Sequence, residues 1–324
     1  MEPAPEEDTS NHDSTGGRGM SLINAMYYVF KPFLPQGVRY TMRRLRANYK
    51  LQTARDWPIM LSAGRTPEGW PGWPEGKKFA VVLTHDVEGP TGLDRCQQLA
   101  ELEARHGFRS SFNFIPEGGY RVTKEFRQSL EDQGFEVGVH DLRHDGSLYQ
   151  SRKSFDACAV RINDYLRDWN ATGFRAGFMF HNLEWLKTLD IEYDASTFDT
   201  DPFEPQPDGA GTIFPFRVTD PDPRRSYIEL PYTLPQDATL YLILREKTNE
   251  VWKKKTDWLV EQQGMVLLNV HPDYLAFDGR KPEISEFDAA LYEDFLIHLK
   301  TRFQDQYWNP LPREMSRFIA ASSD

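Results

Sequence analysis

From residue 77 onward the chain alternates short apolar runs with amphipathic stretches, and that alternation restricts the fold more than any other feature. Phe79-Ala-Val-Val-Leu83 is apolar without interruption, the pattern of a strand covered on both faces in a parallel sheet. Parallel strands need a long crossover, usually a helix, and the following stretches supply one. Residues 92–106 read as a helix, 109–115 as the next strand, and 123–133 as a helix with Phe126 and Leu130 four apart. A third strand at 135–140 precedes a helix at 155–169. Short strands at 173–177 and 191–195 flank a helix at 182–189. After a Pro-rich loop region, 199–225, come a strand at 227–230, a helix at 248–263, a strand at 265–271 and a helix at 288–303. About seven strand–helix units in one run predict an α/β barrel rather than a doubly wound sheet. No internal repeat is visible.

A chain of 324 residues with eight Trp, fourteen Tyr and twenty-one Phe is large and apolar enough for one such barrel. The net charge of −11 argues against nucleic acid as the main partner. That charge is unevenly spread: residues 14–55 hold eight Lys or Arg and no Asp or Glu, leaving −19 on the rest. The only cysteines, Cys96 and Cys158, fall in expected helices without metal-type spacing, so two reduced thiols in a cytoplasmic protein are expected.

The N-terminal part divides into three. Residues 1–20 are acidic, then polar and Gly-rich, the reverse of a secretory leader, and read as a disordered tail. Residues 21–56 form a basic segment with helical spacing of Ile23, Met26, Tyr27 and Phe30, continued by Val38 to Arg46. Its apolar stretch is broken by Lys31 and Pro32 and is too short to span a bilayer. Such a segment fits the inner face of an anionic membrane, as a peripheral contact, or packs on the barrel or a partner. Residues 57–78 are a connector rich in Trp, Pro and Gly. Its indoles either pin it to the barrel at 79–324 or offer a sugar-stacking platform.

Barrel enzymes carry their chemistry at the C-terminal ends of the strands. The first strand ends in Thr84-His85-Asp86-Val87-Glu88, the third in His140-Asp-Leu-Arg-His144, and the next ones carry Arg175-Ala-Gly-Phe178 and Tyr193-Asp194. The last strand ends in Leu268-Asn-Val-His271-Pro-Asp273. Ionisable residues at five strand ends exceed what turns require. Two imidazoles from one local segment with one carboxylate make an open site for a divalent metal. The other carboxylate then serves as general base, Arg175 keeps it ionised, and protonated His271 gives a proton to a leaving amine. His85 suits a structural hydrogen bond better than ligation.

These residues resemble the polysaccharide deacetylases, carbohydrate esterase family four, across roughly residues 79–275. The resemblance implies a distorted (β/α)7 barrel, here with an N-terminal helical extension. It implies Asp86 as base and Glu88, His140 and His144 as metal ligands. It further implies Arg175 orienting the base beside the aromatic Phe178, Asp194 on a groove wall, Leu268 on the acyl pocket and His271 as general acid. Asp86-Val-Glu88 replaces the family's adjacent acids, and Asp141 stands where Ser or Thr is usual. The metal implied is zinc first, with cobalt, nickel or manganese as alternatives. The implied substrate is an N-acylated sugar, as a polymer or a nucleotide- or lipid-linked precursor. A metal-dependent amidase acting on a non-sugar C–N bond, such as a cyclic imide, and a non-catalytic sugar-binding descendant stay open.

Overall fold

A computed structural model describes residues 36–322, so the expectations for residues 1–35 lie outside the described residues. Helix α1 (Gln36–Thr53) comes first. The connector after it is held by its indoles: Trp57 meets Phe203 edge-on at 5.0 Å, and Trp70 meets Phe214 in the same way at 5.0 Å. Trp73 is buried and donates its Nε1–H to the Gln263 carbonyl at 2.8 Å.

The strands and helices then alternate. β1 (Phe79–Val87) is buried along its whole length. α2 (Pro90–His106) starts on Pro90, which has no N–H to orphan, and stops at Gly107, whose φ of 79° suits a residue without Cβ. There follow β2 (Ser110–Phe114), α3 (Lys124–Asp132) and β3 (Glu136–His140). The Thr123 hydroxyl caps α3, and the Ser151 hydroxyl caps α4 (Arg152–Trp169). β4 (Gly173–Arg175), the short α5 (Leu183–Leu186), β5 (Tyr193–Asp194), β6 (Phe216–Val218) and β7 (Tyr227–Glu229) build the far side. A π-helical segment, Ala238–Leu244, precedes α6 (Glu250–Glu261) and β8 (Met265–Asn269). A small pair, β9 (Leu275–Ala276) with β10 (Phe287–Asp288), leads to α7 (Ala289–Arg302), β11 (Tyr307–Trp308) and α8 (Pro312–Ser322).

β1 is the central strand. β8 pairs with Ala80–Thr84 on one side and β2 with Leu83–Val87 on the other, while β11 meets Phe79 and Ala80. From β2 the parallel sheet continues through β3, β4, β5 and β7, and β6 ends it antiparallel. The sheet curls until the residues after β7 reach β8. Thr233 and Leu234 both donate their N–H to Leu267 O at 3.1 Å, and Thr233 Oγ donates to Met265 O at 2.8 Å. The expected distorted (β/α)7 barrel with a helical N-terminal extension is therefore present. β6 breaks the expected Pro-rich loop, and β11 and α8 extend the barrel beyond the last expected helix.

Candidate metal centre and active site

Alternation along β1 sends Thr84 and Asp86 into the barrel and His85 outward. His85 Nδ1 lies 2.9 Å from Val270 O and Nε2 2.8 Å from Glu103 of α2, so both ring nitrogens are engaged and neither serves a metal. Asp86 is buried, and burial by itself would raise its pKa. Arg175, His140, His271 and the Asn113 amide outweigh that penalty and hold the carboxyl below the usual range. Asn113 donates to Oδ1 at 3.0 Å, Asn269 donates to Oδ2 at 2.9 Å, and Arg175 Nε lies 3.4 Å from Oδ1. Arg175 is fully buried and also donates to Thr84 Oγ at 3.0 Å. A Cβ on Gly138 would lie 2.2 Å from Asn113 Oδ1, so the neighbouring strand needs glycine there to let this amide reach Asp86.

The histidine pair sits on a sharply bent chain. β3 delivers His140, then Asp141 and His144 adopt φ of 56° and 55°, and Phe178 and Met179 across the site adopt 59° and 53°. Four non-glycine residues in the left-handed region around one site is local backbone strain of the kind found at functional sites. Gly177 fits between them; a Cβ there would lie 2.6 Å from Asp141 Oδ2 and 2.8 Å from His144 Cδ2. The Phe178 ring stacks on His144 at 4.4 Å and sets its plane.

His140 Nδ1 donates to the Arg175 carbonyl at 3.1 Å, which leaves its lone pair on Nε2. That Nε2 is buried and has no hydrogen-bond partner. Burial keeps the ring neutral, its pKa lying below the ordinary value. Nε2 of His144 lies 3.3 Å from Glu88 Oε1. One ligand atom from each of Glu88, His140 and His144 lies within 4.8 Å of the others. An orphaned, buried imidazole nitrogen beside a second imidazole and a carboxylate is the donor set of a divalent transition metal, and the residues fit one. Burial opposes ionisation of Glu88. His144, His271 and a hydrogen bond from Tyr274 Oη to its Oε2 override that and lower its pKa to about 2.

His271 ends the β8 segment. Asp237 Oδ2 accepts from its backbone N at 2.7 Å, and Asp237 Oδ1 accepts from its Nδ1 at 2.7 Å. Burial would lower this histidine's pKa, but Asp237, Glu88 and Asp86 raise it to about 10. The ring is therefore cationic at neutral pH. Asp273, two residues on, accepts from Glu88 N and Gly92 N at 2.8 and 3.1 Å and ties the first strand end to the start of α2.

Asp86, Glu88, His140, His144, Arg175, Phe178 and His271 thus meet at one end of the barrel. Two expected residues stand elsewhere. Asp194 is fully buried and accepts from the N and Oγ of Ser196 at 2.9 and 2.8 Å; Ser196 Oγ in turn accepts from Ala176 N. It braces the chain just after Arg175 instead of lining a groove. Leu268 is buried and, by strand alternation, points away from the neighbouring Asn269, whose amide is the one at Asp86. The residues not foreseen are Asn113, Asn269, Asp237 and Tyr274.

No family sequence profile matches the chain, and no curated protein matches it in sequence. Solved structures do. A Mycobacterium smegmatis protein assigned as a polysaccharide deacetylase superposes with a TM-score of 0.60 at 19% identity, over 78% of this chain and 93% of that one. The fold is that of the polysaccharide deacetylases. More distant are the peptidoglycan deacetylase PdaC of Bacillus subtilis, with a TM-score of 0.44 at 14% identity over 78% and 95% of the two chains. A CE4 family pseudoenzyme of Bacillus anthracis gives 0.45 at 13% over 76% and 67%.

Proposed function

We propose that the protein is a metal-dependent hydrolase that removes an N-acyl group, acetyl first, from an amino sugar. The observation that carries this reading is the opposite setting of two carboxylates 2 residues apart in sequence. Glu88 stands with His140 and His144, whereas Asp86 stands among two amide donors and a guanidinium. Glu88, His140 and His144 would hold the metal, zinc before cobalt, nickel or manganese, which would supply Lewis acidity to water and to the acyl carbonyl.

This chain's own groups do the proton work. Asp86, kept ionised by Arg175, takes the proton of the attacking water. His271 has Nδ1 committed to Asp237, so its Nε2–H is the proton given to the leaving nitrogen as the C–N bond breaks. The products are a free acid and an amine, and the two residues recover their protonation states by exchange with water. The substrate we propose is a glycan of surface-polysaccharide metabolism or its nucleotide- or lipid-linked precursor, acted on in the cytoplasm. Free Cys96 and Cys158 are in keeping with a reducing compartment.

Metal analysis of the purified protein, together with a screen for acid release from N-acylated sugars, oligomers and nucleotide sugars, tests the reading. Bound metal that is lost in His140→Ala and His144→Ala, with acetate or formate released by the wild type, is expected. A fully metal-loaded protein that binds these sugars and releases no acid would overturn it in favour of a sugar-binding protein.

A further inference from the structure

Helix α1 is turned the wrong way round for a helix of a water-soluble surface. Val38, Met42, Leu45 and Tyr49 recur at intervals of four, three and four and so form one stripe along it. All four are exposed, Leu45 at 66% and Tyr49 at 70%. The opposite face, with Tyr40, Arg44, Ala47 and Lys50, is the one that packs on the barrel. Arg44 donates from Nε and Nη2 to Leu242 O of the π-helical segment at 3.1 and 2.9 Å, and Lys50 donates to Pro202 O. An amphipathic helix normally buries its apolar stripe and offers its charges to water. Here polar contacts anchor the helix and the apolar stripe faces outward.

We infer that α1 seats the protein on an anionic lipid surface, with Val38, Met42, Leu45 and Tyr49 entering the headgroup boundary. Charge selects this occupant. The helix carries five Lys or Arg and no acid. A second copy of the chain would bring two such basic helices together, like charge against like. The apolar residues at 22–34 contain only Lys31 among charged groups and offer nothing for the arginines beside the stripe. An anionic membrane meets both features, the stripe through its acyl boundary and the cations through its headgroups. Because the remainder of the chain is strongly acidic, it is repelled by such a surface, and only the side bearing α1 approaches it.

That side includes the rim of the candidate site. The π-helical segment that Arg44 grips begins directly after Asp237, the partner of His271. The inference does not depend on the chemistry of that site, and its test reads binding alone.

The full chain is sedimented with vesicles of phosphatidylcholine, and with phosphatidylcholine mixed with phosphatidylglycerol, in low and high salt. Binding to the mixed vesicles, weakened by salt, is expected, with little to the neutral ones. The double variant L45E/Y49E replaces two exposed residues and should keep the wild-type unfolding temperature. It should lose about tenfold or more in vesicle affinity, since two apolar side chains leave the boundary and two anions enter. Equal binding by variant and wild type, or no binding by either, overturns the inference. So does a wild-type dimer that L45E/Y49E dissolves without any vesicle binding, which would assign the stripe to a second copy. Shielding of Leu45→Cys from thiol reagents in vesicle-free monomer would assign it to the preceding residues, and would overturn the inference equally.

Discussion

Asp86 and Glu136 are both fully buried carboxyls on neighbouring parts of one sheet, and they titrate in opposite directions. Asp86, at the C-terminal end of β1, is held below the usual range by Arg175, two imidazoles and an amide donor. Glu136, at the N-terminal end of β3, is pushed up to about 7, because burial dominates over the Arg313 N–H, the Tyr193 hydroxyl and the Arg313 charge that together support its ionised form. Burial alone therefore does not mark a reactive acid. What separates the proposed base is a buried guanidinium 3.4 Å from its carboxyl: one end of the barrel keeps a carboxylate charged, and the other end keeps one close to neutral for packing.

The strongest way to break this contrast is to remove the charge of the proposed base. Asp86→Asn should retain bound metal and lose about 10²- to 10⁴-fold in turnover, the usual contribution of a positioned base. Arg175→Met keeps much of the bulk but removes the cation. It should let the Asp86 pKa rise, so the acid limb of the kcat/KM profile moves to higher pH. Metal loss in Asp86→Asn, with metal kept in Glu88→Gln, would exchange the proposed roles of the two acids. The expected result is the converse: Glu88→Gln binds metal weakly and recovers part of its activity when metal is added in excess.

A smaller effect is expected one step further out. Asp237→Asn removes the anion that lifts His271 to about 10. Its pKa should fall, and each unit costs about tenfold in protonated fraction once the pH exceeds the new value. The sign follows from the role: a general acid is lost on deprotonation, so the basic limb of the rate profile should move to lower pH. Activity near the acidic end should be little changed by that shift. A uniform loss across the pH range would mean that Asp237 only fixes the ring's position.

The barrel was legible because its period was. Continuous apolar runs such as Phe79–Leu83, between helices with capping and stop residues, leave few alternatives. β6 and β11 were hidden, since runs of three and two residues have no period to read. In the site, the titratable residues showed in the sequence and the neutral amides did not. Asn113 and Asn269 have no charge or metal-ligand spacing to mark them, yet they hold both oxygens of Asp86. One signal was available: Asn269 precedes His271 by two and so shares its face of an extended chain, whereas Leu268 belongs to the other. Asp194 was misplaced for a related reason. The family resemblance implied a groove wall for this residue of a short strand, and only the fold shows it buried against Ser196. Asp237 and Tyr274 reach His271 and Glu88 through tertiary contacts that no local pattern announces.

The gentlest test acts at the other end of the contrast. With an ordinary carboxyl pKa of 4.5 in the unfolded chain and about 7 in the fold, the native state holds the Glu136 proton more tightly than the unfolded state does. As for any group whose pKa rises on folding, the stabilisation is fully present below about pH 4.5 and lost as pH rises through about 7. At 1.36 kcal/mol per unit, the loss is roughly 3 kcal/mol over that window. Glu136→Gln cannot ionise. Its amide still accepts from Tyr193 through oxygen but offers nitrogen where Arg313 N donates, so a constant penalty of about 1 kcal/mol is expected. Denaturant unfolding of both proteins should therefore give curves that converge, and then cross, as pH rises, with the wild type the more stable only at the acidic end. Parallel curves would show that Glu136 titrates normally, and the contrast would then rest on the groups that lower Asp86.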